Sequence, residues 1–107
     1  MTGFEERDTA WQKKIELDAD FRFKVMVRRD KMLARWAAEK LSMDEAEIDE
    51  YATSVVKADL EEAGDDDVVR KIMADFAARS IDVSEDEVRR ELEKLERAAA
   101  DALHKEA

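Results

Sequence analysis

A chain of 107 residues with no proline and only two glycines, Gly3 and Gly64, contains almost nothing that would break a helix. Apolar residues recur along it at spacings of three and four. One set is Phe21, Val25, Met32, Leu33, Trp36, Ala37 and Leu41. A second is Ile48, Tyr51, Ala52, Val55, Val56, Leu60 and Ala63. A third is Val68, Val69, Ile72, Met73 and Phe76, and a fourth is Val88, Leu92, Leu95, Ala99, Ala102 and Leu103. That period belongs to amphipathic helices, each with one face to bury. A composition dominated by Ala, Glu, Lys, Leu and Arg agrees.

Local signals place the boundaries. Thr2-Gly3-Phe4-Glu5, Ser42-Met43-Asp44-Glu45 and Ser84-Glu85-Asp86-Glu87 all have capping-box spacing. Gly64 follows a helical pattern and precedes Asp65-Asp66-Asp67, which reads as a C′ glycine, an N-cap and an acidic first turn. The expectation is helices near 20–41, 43–63, 66–79 and 84–104. Short connections make sequential helices antiparallel, so the fold class is all-α, a four-helix bundle over residues 20–107. Residues 1–19 differ, because Phe4, Trp11, Ile15 and Leu17 form only a thin apolar stripe. Such a helix is marginal alone. The segment is expected to be an N-terminal arm, partly ordered or helical as an extension of the first helix.

The net charge of −10 argues against nucleic acid and against an anionic membrane surface as partners. No stretch approaches the ~20 apolar residues of a spanning helix, so no membrane insertion is expected. The acidic N-terminus lacks the apolar run of a signal peptide, and a cytoplasmic location is expected. Without cysteine there is neither a disulfide framework nor thiolate chemistry. The single histidine, His104, stands next to the C-terminus, a poor place to hold a general base. No nucleophile elbow or glycine-rich phosphate loop is present. The chain is therefore not expected to be an enzyme. A calcium loop starting at Asp82 would put Glu87 at the sixth position, where the turn needs glycine. Helix capping explains the same residues, and no metal site is expected.

Two features hold functional interest. Residues 21–41 carry seven Lys or Arg against two acids, a local charge of +5 in an acidic chain. Lys24, Arg28, Lys31 and Arg35 recur at helical spacing and share one face. Residues 42–67, with a net charge of −10, could neutralise that face through interhelical ion pairs. The same cations could bind phosphate, with Trp36 or Tyr51 offering an aromatic face to a base. The two readings are compatible. The second feature is the arm. Phe4 and Trp11 are either exposed anchors for a partner's groove or buried by folding back on the bundle.

A resemblance is carried by Phe21-x-Phe23-Lys24, by Arg28-Arg29-Asp30-Lys31-Met32-Leu33 and by Trp36-Ala37-Ala38-Glu39. It continues through Tyr51-Ala52, Val55-Val56-Lys57-Ala58-Asp59, Glu61 to Val68, and Arg70-Lys71. In order and spacing these motifs resemble the zeta-subunit ATPase inhibitors of alphaproteobacterial F-type ATP synthases. The sequence departs from that pattern at Asp30, Ala34 and Trp11. The resemblance implies a four-helix bundle preceded by an inhibitory segment over residues 1–19. That segment would insert at a catalytic interface between the alpha and beta subunits of the soluble head and block ATP hydrolysis. Carried over, its contacts would be Phe4, Arg7, Trp11, Lys14 and Ile15. The resemblance also implies ADP or ATP as a regulatory ligand of the bundle, with no cofactor required. The residues assigned to it are Lys24, Arg28, Arg29, Lys31 and Trp36. The location implied is peripheral to the inner membrane, through the synthase. Two alternatives remain: a stand-alone adenine-nucleotide-sensing module built on Lys24, Arg28, Arg29 and Trp36, and a helical interaction protein with another partner.

Overall fold

The structure is a computed structural model that describes the backbone of residues 2–106 and the side chains of residues 19–106. It contains four helices and, among the described residues, no strand: α1 (Thr2–Lys40), α2 (Glu45–Asp59), α3 (Asp66–Ala78) and α4 (Glu85–Glu106). The all-α four-helix expectation holds. The first helix starts at Thr2 rather than near residue 20, so the arm continues α1 as one helix.

Helix α1 is the element against which α2, α3 and α4 all pack. It can do so because its inner face is lined with small side chains. Ala34, Ala37 and Ala38 are fully buried beside Leu33 and let neighbouring backbones approach. Around them close Ile48, Tyr51 and Val55 of α2, Val68, Val69, Ile72 and Phe76 of α3, and Val88 and Leu92 of α4. Phe76 is the largest of the fully buried side chains, and its ring meets Trp36 edge-on at 5.9 Å. The four apolar stripes read from the sequence therefore converge on one core.

The helix ends show where local rules gave way. Ser42-Met43-Asp44-Glu45 does not open α2 as a capping box with Ser42 as N-cap. Asp44 is the N-cap, its side chain accepting from the Glu47 N–H at 3.0 Å. Ser42 instead closes α1 in the left-handed region, at φ 59°. The Ser42 N–H donates to the Glu39 carbonyl and the Met43 N–H to the Ala38 carbonyl, the paired bonds of a Schellman motif. Helix α3 ends the same way: Ser80 has φ 57° and the Ile81 N–H donates to the Phe76 carbonyl at 2.9 Å. In both, the next residue, Met43 or Ile81, packs on the core. That apolar contact holds a serine in a conformation glycine would adopt more readily. At the third, Ser84 is the N-cap of α4, with the Glu87 N–H donating to Ser84 Oγ at 3.1 Å, and the Glu87 carboxylate lies near Lys40.

Helix α2 stops at Asp59, short of the expected residue 63. Leu60 is consequently 54% exposed and Ala63 is exposed too, although both lie on the apolar stripe. Gly64 keeps its left-handed conformation, at φ 91°, but within a loop rather than directly behind the helix. Asp65 is the N-cap of α3 without a side-chain capping bond. Its carboxylate points instead to Arg29 of α1, at 3.1 Å.

Replacing Ser80 by glycine relieves a left-handed residue without disturbing the Ile81 contact. The expected gain is under about 1 kcal/mol, because glycine also loses more freedom on folding. A higher urea midpoint for Ser80→Gly supports the strain argument, and a lower one rejects it. Phe76→Ala should lose roughly 3–5 kcal/mol in the same measurement.

Candidate functional site

The basic stretch of α1 divides into two environments once the helix is packed. Lys24, Arg28, Lys31 and Arg35 lie along one wall of an open cavity of about 750 Å³ between α1 and α4. Spacings of four, three and four keep them in register along the helix, as the sequence implies. Val27, Met32 and Trp36 of α1 line the same cavity, with Leu95 and Leu103 of α4. Phe23, 53% exposed, stands among the lining residues, and Glu39 is the one acid there. The result is an apolar groove with cations along it, a size and character suited to a small anionic ligand with a flat apolar part.

The groove cations are weakly neutralised. Lys24 pairs with Asp20 one turn away at 3.2 Å, and Arg35 with Glu45 at 3.3 Å, in both cases between exposed side chains. Arg28 meets Glu106, near the end of α4, at 2.7 Å, with side chains 36% and 56% exposed. Lys31 has no ion pair among the described residues. Pairs of this kind contribute about 0–1 kcal/mol each, so a multiply charged anion can displace them. Lys31 and Arg35 also border a smaller cavity of about 290 Å³ shared with Ile48, Asp49, Ala52 and Thr53 of α2.

Trp36 is half-buried. One edge packs on Phe76, the ring forms part of the groove lining, and Lys40 Nζ lies 5.2 Å from its centroid. Tyr51 is not in the groove. It is buried on α2, and its hydroxyl donates to Asp75 of α3 at 2.7 Å. Burial, with that bond to a carboxylate, pushes its phenol above the ordinary value.

Arg29 stands apart from the other residues assigned to nucleotide. It is 3% exposed, and every arm of its guanidinium is engaged by carboxylates. Nε donates to Asp30 at 3.1 Å, Nη2 to Asp59 at 2.9 Å, and Nη1 to Glu96 at 3.1 Å with Asp65 at the same distance. The ion pairing expected from residues 42–67 thus falls on Arg29, through the Asp59 and Asp65 carboxylates, and on the exposed Arg35, through Glu45. Burial alone would lower the Arg29 pKa, but Asp30, Asp65 and Asp59 outweigh it and hold the guanidinium charged. Burial pushes the Asp30 carboxyl up to about 8, with the adjacent Asp59 carboxyl adding to the rise and Arg29 opposing it. The acidity of Asp30 and the depth of Arg29 were not visible in sequence. The signal was there only as an Arg-Asp pair placed just off the apolar stripe.

The arm residues Phe4, Arg7, Trp11, Lys14 and Ile15, and the Thr2 capping box, lie outside the residues whose side chains are described. No helix among the described residues is long and apolar enough to cross a membrane.

Arg29→Ala strands two buried carboxylates and should destabilise the bundle by roughly 3–5 kcal/mol. Arg35→Ala, which removes only an exposed pair, should change stability by less than about 1 kcal/mol. Chemical denaturation of both variants checks the contrast, and equal losses would contradict it.

A search of curated proteins returns no match. Among solved structures, a protein determined in solution by NMR matches with a TM-score of 0.71 and 41% identity, over 80% of this chain and 98% of that one. The likeness therefore extends to sequence as well as to fold. The family model described as ATPase inhibitor subunit zeta matches residues 1–102, from the arm through most of α4. The arm, most of the bundle and all of the groove lining but Leu103 thus lie within one family match, and the chain belongs to the ATPase inhibitor subunit zeta family.

Proposed function

We propose that the chain inhibits ATP hydrolysis by an F-type ATP synthase by inserting residues 1–19 at a catalytic interface between the alpha and beta subunits. The observation that carries this reading is the family match, which includes the arm as well as the bundle. Association with a synthase follows from that family, and an inhibitory, regulatory role is consistent with it. The steric mechanism is the finer step. Residues 1–19 have an apolar stripe too thin to bury against themselves, and α1 runs without interruption from Thr2 onward. A helix of that kind gains its partner surface from a groove on another protein. Phe4, Trp11 and Ile15 are its apolar anchors, and Arg7 and Lys14 its charged contacts. The bundle of residues 20–107 holds this helix and is too bulky to follow it into a closing site. The complex places the protein in the cytoplasm, at the periphery of the inner membrane.

Titrating purified synthase head with the full chain and with a chain starting at Asp20 tests this. The full chain should inhibit, and the truncated chain should stay folded by circular dichroism and inhibit at least tenfold less. Equal inhibition by both would place the function in the bundle instead.

A second reading is supported by the groove. The bundle binds ADP or ATP there, with Lys24, Arg28 and Lys31 on the phosphates and Trp36 against the base. Phosphate groups gain charge-assisted hydrogen bonds from such side chains. Arg29 is committed to carboxylates and serves the bundle rather than the ligand. Arg28→Glu should weaken ATP binding at least tenfold in calorimetry and leave the unfolding midpoint nearly unchanged, because Arg28 is partly exposed. Undiminished binding would remove this reading and leave the arm hypothesis untouched.

A further inference from the structure

The Arg29 cluster has a charge imbalance that geometry alone exposes. Asp30 is fully buried and Asp59 is 3% exposed, and both face the one guanidinium of Arg29. Both carboxylates reach the same nitrogen, Nη2, at 3.1 and 2.9 Å. Their remaining oxygens, Asp30 Oδ2 and Asp59 Oδ1, are buried and receive no hydrogen bond. Asp65 and Glu96, the other two acids on Arg29, are about half exposed and keep their water. The dry part of the cluster therefore holds two carboxylates against one cation, with one acceptor orphaned on each. Leaving such acceptors buried and charged is expensive. Two carboxylates in one site cannot both stay ionised cheaply.

We infer that Asp30 and Asp59 hold one proton between them in the folded bundle, making the Arg29 cluster a proton-binding site that joins α1 to α2. One proton closes the imbalance in three ways. It cancels the excess negative charge, turns one orphan oxygen into a donor, and gives the other orphan oxygen that O–H to accept from. The elevated Asp30 carboxyl points the same way. The charged group touching the pair is Arg29 on α1, and Asp65 in the loop before α3 and Glu96 on α4 reach that arginine through its other terminal nitrogen, Nη1. Helix α3 makes no hydrogen bond or ion pair to Arg29, Asp30 or Asp59 among the described residues. Arg89 and Glu93 of α4 line a cavity beside Arg29, and Arg89 is engaged by Asp66 and Glu85.

The sign of the pH effect follows from proton linkage. The folded pair keeps a proton that an unfolded aspartate gives up near its ordinary value, so the folded state binds more protons between the two. The stabilisation is complete in acid. It declines as pH rises from about 4 and is gone once pH passes the folded value of about 8. Within that window the unfolding constant should rise by up to about tenfold per pH unit from this pair.

Two measurements on the full chain test this. In a carbon-13 NMR titration of the aspartate carboxyls, Asp30 should inflect near pH 8, far above the ordinary carboxylate range. If Asp30 finishes titrating below pH 5, the shared proton does not exist. Chemical denaturation from pH 5 to 9 gives the second reading, comparing the parent chain with Asp30→Asn. The asparagine amide can donate to Asp59 without a titrating proton, so the variant should lose the pair's share of the pH slope. An unchanged slope overturns the inference. Asp59→Asn provides the mirror variant should Asp30→Asn not fold, and the NMR titration needs no variant.

Discussion

Arg29 is the interaction on which the arrangement of this bundle depends. A guanidinium is charged at any ordinary pH, so burying it obliges the fold to deliver carboxylates to it. They come from four places: Asp30 beside it on α1, Asp59 at the end of α2, Asp65 in the following loop, and Glu96 on α4. Three of those contacts join separate pieces of chain. Hydrophobic packing alone would let helices slide by a turn with modest loss, but a directional fork of five N–H donors does not. The early stop of α2 fits this view. The loop after Leu60 carries Asp65 back to the arginine instead of extending the apolar stripe.

The faces of α1 then have separate duties. Leu33, Ala34, Ala37 and Ala38 form the side around which the core closes, and Arg29 and Asp30 form the polar lock. Lys24, Arg28, Lys31 and Arg35 are left on a third side with only exposed acids near them. The groove is cationic because the nearby acids are spent elsewhere. Asp59 and Asp65 are drawn to Arg29, and Asp66 to Arg89. A chain with a net charge of −10 thereby keeps a concavity lined by four cations and one acid. Such a separation focuses field on the groove and is a physical basis for anion binding in an acidic protein. The same helix runs back from the bundle to Thr2, so the arm and the groove cations share one element.

The all-α class, the four apolar stripes and the helical face of four cations were legible in the sequence, because each depends on spacing along one helix. Ser84 as an N-cap was legible for the same reason. What misled was the reading of helix ends. Ser42 and Ser80 take up left-handed conformations that only their apolar successors, Met43 and Ile81, make tolerable by packing on the core. A rule that looks for glycine there finds Gly64 instead, which sits inside a loop. The continuation of α1 back to Thr2 was one of two alternatives, and the thin stripe of residues 1–19 could not choose between them.

The sequence by itself determined that this chain forms helices, which faces they bury, and that one of them presents four cations in a row. Propensity and periodicity act over a few residues and need no knowledge of the partner helix. Only the tertiary structure separated Arg29 from Arg28. A rotation of about 100°, the step from one residue to the next, places Arg28 on the groove and Arg29 in the dry interior. Which side is dry depends on where α2 and α4 come to rest. The burial of Asp30 and Asp59 beside that arginine, and the two oxygens left without donors, follow from the same packing. Dielectric environment is a property of the assembled fold, and no local pattern of residues records it.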